Sequence, residues 1–287
     1  MSTIKEVIIR MRRPMILVQN GWYARDPDSV KKNIESLIDS RIKSTKEKPV
    51  VAISPHAGWF YCGKLIVNSI RILSEKNSNI KNIFIFGGHL PKESEPILEV
   101  FSVADTPLGG LNNNQGIIDF LSKYDSLNKK LYFNDNTIEI ILPVIKYFFS
   151  NANITALYVP PNISIIPMIE DIVKNFGDDS IFIGSSDLTH YGPRYNFIQK
   201  NFTTPDSVKW VKNSNDKGYI DLILDMKEKE SLEYANKNMS ACSSGAVLAA
   251  IVAAKTKGIK NGELLGYYTS YDIRQDENFV GYCGVLY

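Results

Sequence analysis

Seven short runs rich in Val, Ile, Phe and Tyr recur along this chain, at residues 50–54, 83–87, 97–103, 154–159, 181–185, 264–269 and 279–286. Most are separated by stretches whose apolar residues repeat at helical spacing: 29–42, 64–75, 115–123, 137–149, 164–176 and 244–257. In the first of these, Ser29 supplies an N-cap and Val30, Ile34, Leu37 and Ile38 share a face. Strand and helix in alternation predict a three-layer α/β/α sandwich around a mixed, partly parallel sheet. The last run is apolar on both faces, so it belongs inside the sheet rather than at an edge. With 287 residues and 44% hydrophobic content the chain can bury a large core, read here as one domain over residues 1–287.

All three histidines follow such runs: His56 after 50–53, His89 after 83–86 and His190 after 181–183. Ligands and catalytic groups of open α/β sheets gather outside the carboxyl ends of the strands, so this placement predicts one shared crevice. Asp187 stands three residues before His190 in the segment Gly184-Ser185-Ser186-Asp187-Leu188-Thr189-His190.

Composition excludes several classes. Lys+Arg at 33 against Asp+Glu at 31 gives +2, with no cluster strong enough to hold nucleic acid or an anionic membrane surface. The three cysteines, Cys62, Cys242 and Cys283, form no CxxC pair and suit a reducing compartment. Residues 1–13 intersperse charges among apolar residues, unlike a signal peptide, and no segment has transmembrane length, so a cytoplasmic location is expected. Neither a Walker loop nor a GxGxxG fingerprint is present, and no nucleotide cofactor is expected.

Two strand-end histidines plus one anionic group make a three-point protein face for a metal. His56 and His89 are the natural pair, and Asp187, Glu139 and Cys242 are the choices for the third ligand. Cys242 directly precedes the Ala-rich helical stretch, where unpaired N–H groups lower a thiol pKa. Each has a plainer alternative: Cys242 as a small buried residue, Asp187 as a turn residue, Glu139 as an exposed helix residue. Cys62 and Cys283 read as packing. Trp22, Tyr23, Trp59, Phe60 and Tyr61 suit either a pocket wall for a small-molecule or peptide ligand, or core. The polar segment 191–216 is a long excursion of the kind that lids a site. Without a Gly-x-Ser-x-Gly elbow, nucleophilic hydrolysis is a weak reading.

The tags Asn20-Gly21-Trp22-Tyr23, Ser54-Pro55-His56-Ala57-Gly58-Trp59-Phe60-Tyr61-Cys62-Gly63, Gly87-Gly88-His89, Thr137-Ile138-Glu139, Ser185-Ser186-Asp187-Leu188-Thr189-His190-Tyr191-Gly192 and Cys242, in this order, resemble the Memo family. That family is similar in fold to class III extradiol dioxygenases, whose iron(II) is held by two His and a carboxylate. Its prokaryotic members are called AmmeMemoRadiSam system protein B, after a gene association with AMMECR1-like and radical SAM proteins. The resemblance implies His56, His89 and Cys242 as ligands of one Fe(II) or Cu ion, with Asp187 and His190 as catalytic neighbours. It implies an oxygenase-like redox protein or, alternatively, a non-catalytic adaptor that retains the pocket. Two departures stand out: Asn136 occupies the place of a usual family His, and Ser243 that of a glycine.

Overall fold

The structure, a computed structural model, describes residues 11–287, so most of the 1–13 segment weighed as a signal peptide lies outside the described residues. Its main sheet contains β1 (Val51–Ser54), β2 (Asn82–Gly87), β3 (Ile97–Glu99), β4 (Asn128–Lys130), β5 (Asn153–Tyr158), β6 (Ser180–Ser185), β7 (His190–Tyr191), β8 (Glu263–Thr269) and β9 (Phe279–Leu286). They run in the order β7-β9-β1-β6-β2-β5-β3-β4, with β8 also paired to β9. Strands β1, β6, β2 and β5 are mutually parallel; β9 is antiparallel to β1, and β3 to β5. The expected mixed α/β sandwich is the architecture found.

Strand alternation assigns the two faces. Ile53, Phe84, Phe86, Phe182 and Val285 point into one apolar layer, and Ala52, Ile83, Ile85, Ile183 and Leu286 into the other. Against the second lie α1 (Pro27–Leu37), α2 (Trp59–Lys76) and α3 (Leu142–Phe148). The first is covered by α4 (Ile166–Phe176), α5 (Asp216–Leu224), α6 (Glu228–Asn238) and α7 (Ser244–Thr256). From Ser244 to Ala254 every residue of α7 is buried, which explains its Ala-rich, all-apolar sequence: small side chains let it lie close on the sheet. β9 is buried throughout between β8 and β1, as its two-sided apolarity predicted.

Four expectations are corrected. Asp26, not Ser29, caps α1: its carboxylate accepts from Ser29 N, and Pro27 occupies the first turn, where its missing N–H costs nothing. The helix expected over 137–149 is two, Asn136–Glu139 and α3, the latter with Pro143 in its first turn. The strand expected over 97–103 is split, since Val103–Ala104 pairs instead with Arg12–Arg13 and Leu111–Asn112 in a separate small sheet. The 191–216 excursion contains a further helix, Thr204–Trp210, closed by a Thr203/Asp206 capping box.

Candidate metal centre

Three adjacent parallel strands each deliver one polar group two residues beyond their last residue. Ser54 ends β1 before His56, Gly87 ends β2 before His89, and Ser185 ends β6 before Asp187. After β6 the chain steps across the end of β1, with Ser186 N donating to Ser54 O and Leu188 N to Gly281 O, and joins β9 as β7. His190 therefore starts a new strand, and Asp187 holds the strand-end position that the sequence reading gave to His190. Gly88 has φ +105°, a conformation open to glycine, and turns the backbone that presents His89.

Cys242 arrives from the opposite direction, ahead of α7, with its N–H donating to Asp187 O at 3.2 Å. Its Sγ lies 3.2 Å from His56 Nε2. One donor atom each from His56, His89 and Cys242 lie within 4.8 Å of one another, as do those of Asp187, His190 and Cys242. The structure thus brings together all five predicted residues. Glu139, the other ligand choice, is elsewhere: it is buried and accepts from Ile16 N (2.8 Å), Leu17 N (2.7 Å) and Tyr23 Oη (2.8 Å), with Arg13 Nη1 at 3.4 Å. It anchors the N-terminal segment.

Hydrogen bonding fixes the imidazole tautomers. Ser185 Oγ donates its one proton to Thr137 O (2.6 Å), so at 3.1 Å it must accept from His56 Nδ1. His89 Nδ1 donates to Asp135 Oδ2 at 2.9 Å. In both rings Nε2 is the nitrogen left for the cluster, the carboxylate–histidine or hydroxyl–histidine support that metal-ligating imidazoles use. Asp135 was missed in the sequence; its signal was its position as N-cap before Thr137-Ile138-Glu139. Asn136 lines the cavity and donates to His56 O at 3.1 Å, so it holds the backbone of one ring-bearing residue.

The charges of the cluster are coupled. Burial alone would raise the Cys242 thiol pKa, but His56, His190 and His89 outweigh it and keep it well below the ordinary value. Burial likewise works against protonated imidazoles. Asp135 and Cys242 nevertheless push His89 up to about 10, and Asp187 and Cys242 push His190 up to about 10. His190 Nε2 is buried with no hydrogen-bond partner among the described residues, 3.8 Å from Asp187 Oδ2. A thiolate and two oriented imidazoles form a donor set that fits a soft or borderline metal, with the unpartnered His190 Nε2 beside it.

The cluster faces a cavity of about 650 Å³ lined by His56, His89, Asp187 and His190 together with Trp22, Phe60, Tyr61 and Tyr195. Tyr23 and Trp59 are core, the latter donating Nε1 to Ile140 O. Cys62 and Cys283 are fully buried, as expected of packing residues. No described helix is long and apolar enough to cross a membrane.

Fold and site together define a class: an α/β sandwich with a His-His-Cys cluster at the carboxyl edge of its parallel strands. The sequence model of the Memo-like protein family matches residues 16–286, and the chain belongs to that family. A MEMO1 family protein of Methanocaldococcus jannaschii is 28% identical, covering 85% of this chain and 86% of the relative. One of Nitrosopumilus maritimus is 26% identical, covering 96% and 99%. A solved structure of an uncharacterized protein of Escherichia coli K12 superposes with a TM-score of 0.48 at 8% identity, covering 82% of this chain and 98% of that one.

Proposed function

We propose that this protein is a metal-dependent, oxygenase-like redox enzyme that holds one Fe(II) or Cu ion through His56 Nε2, His89 Nε2 and Cys242 Sγ. The observation that carries the proposal is the convergence of these three donors within 4.8 Å, with both Nδ1 atoms already engaged elsewhere. Such an ion, when bound, supplies Lewis acidity and redox capacity beside the cavity. The remaining work falls to the chain. His190 accepts or delivers a proton at Nε2, Asp187 sets its charge from 3.8 Å, and the aromatic wall displaces water from a ligand's ring. By the same family resemblance, AMMECR1-like and radical SAM proteins are its proposed functional partners.

Nitric oxide, added anaerobically to the iron(II)-loaded protein, tests for an open coordination position. An iron-nitrosyl paramagnetic signal is expected. Full loading with no such signal would leave the second reading, a recognition module, which the 71% exposure of Phe60 at the cavity wall favours.

A further inference from the structure

The cavity over the cluster carries cationic groups that its histidine end does not employ. Arg194 and Arg274 both line it and both are exposed, and neither guanidinium has an ion-pair or hydrogen-bond partner among the described residues. Their backbones are fixed: Arg194 N donates to Asn278 Oδ1 at 2.8 Å, and Arg274 N to Ser270 O at 2.9 Å. Ser270 in turn accepts from Val280 N of β9, so both arginines hang from the sheet edge. The acidic group of this rim is Asp276. Asn278 N and Nδ2 hold its carboxylate at 2.8 and 3.2 Å and, with help from both arginines, keep its pKa below the usual range. Two guanidiniums and one carboxylate leave the rim with one net positive charge.

We propose that Arg194 and Arg274 form the anion-recognising end of this cavity, and that it takes a small planar monocarboxylate whose ring lies against Trp22, Tyr61 and Tyr195. The assignment rests on the reading of this cavity as the substrate site. Three observations select the ligand class. One net positive charge at the rim is balanced by a monoanion, whereas a phosphate dianion would leave the rim with a net negative charge. The guanidinium fork matches a forked oxyanion in two-point contact, which a carboxylate supplies with the single charge the rim balances. The ring of Tyr195, next in the chain to Arg194, lies 4.9 Å from that of His190, so a flat ligand held against Tyr195 lies beside the histidine cluster.

Benzoate, benzamide and phenyl phosphate are titrated calorimetrically into the full chain, metal-free and iron(II)-loaded. Benzoate is expected to bind at least about tenfold more tightly than its neutral isostere benzamide, the size of one charge-assisted hydrogen bond. In R194Q/R274Q benzoate falls to the benzamide level while benzamide binding stays unchanged, and H56A/H89A keeps the preference. Equal affinities in the wild type, a preference that survives R194Q/R274Q or vanishes in H56A/H89A, or phenyl phosphate binding more tightly than benzoate would overturn the proposal. The metal reading fails separately: a benzoate preference in a protein that takes up no metal leaves the arginine clamp standing, and full metal loading without the preference does the reverse.

Discussion

Cys242 Sγ and His56 Nε2 lie 3.2 Å apart although 186 residues separate them in the chain. Asp187 joins the two, accepting from His56 N at 2.7 Å through its carboxylate and from Cys242 N through its carbonyl. One residue of the turn after β6 thus positions both the nitrogen and the sulfur donor. The pairing is backbone-determined and preorganised, as expected of a site that binds a metal without large rearrangement.

Of the two proposed imidazole ligands His89 is the more exposed, and Asp135 is what orients it. Asp135→Ala removes the acceptor of His89 Nδ1, and metal affinity measured by chelator competition is expected to fall about 10–100-fold with stoichiometry retained at saturation. Unchanged affinity would show that His89 needs no such support.

Protons and metal compete for the same nitrogens. The metal-free His89 pKa is raised to about 10, and that of His56 is also raised, so at neutral pH a metal must displace protons to bind. The sign follows: lowering the pH favours the protonated, metal-free cluster, and raising it toward 10 favours the metal. Apparent affinity should rise about tenfold per pH unit for each proton released, between pH 6 and 9. A flat profile over that window would contradict the charged apo cluster.

His190 and the ligands separate by experiment. His190→Ala should retain metal content while altering the pH profile of any oxygen-dependent turnover, if its Nε2, as proposed, serves the proton rather than the ion. Complete metal loss in this variant would make His190 a ligand.

Much of this site was legible because strand ends are. Apolar runs ending in Ser54, Gly87 and Ser185 mark where a parallel sheet stops, and the polar residues just beyond them have few other roles. Cys242 was harder, since nothing local distinguishes a thiol that packs from one that faces two imidazoles; the family resemblance supplied that step. Asp135 stayed hidden because its contact with His89 spans 46 residues, while its local sequence shows only a helix cap. Glu139 misled for the opposite reason. A helical Glu reads as solvated, yet this one is sealed by Arg13, Tyr23 and two backbone N–H groups from segments far away in sequence.

That buried network has its own consequence. Arg13 Nε donates to Glu99 at 2.7 Å with both side chains fully buried, and Tyr158 Oη donates to the same carboxylate at 2.9 Å. Arg13→Met leaves Glu99 and Glu139 without their counter-ion, and denaturant unfolding should show a loss of about 3–5 kcal/mol. A loss under about 1 kcal/mol would place the network among weakly contributing surface pairs.

The central claim is that sulfur and two imidazoles share one ion. X-ray absorption spectroscopy of the metal-loaded protein measures this directly: the fit should require about one sulfur and at least two imidazole nitrogens in the ion's inner sphere. The sulfur contribution should disappear in Cys242→Ser, and the imidazole scattering should weaken in His56→Ala. An inner sphere of oxygen and nitrogen alone in the wild type, or metal content unchanged in H56A/H89A, would contradict the account.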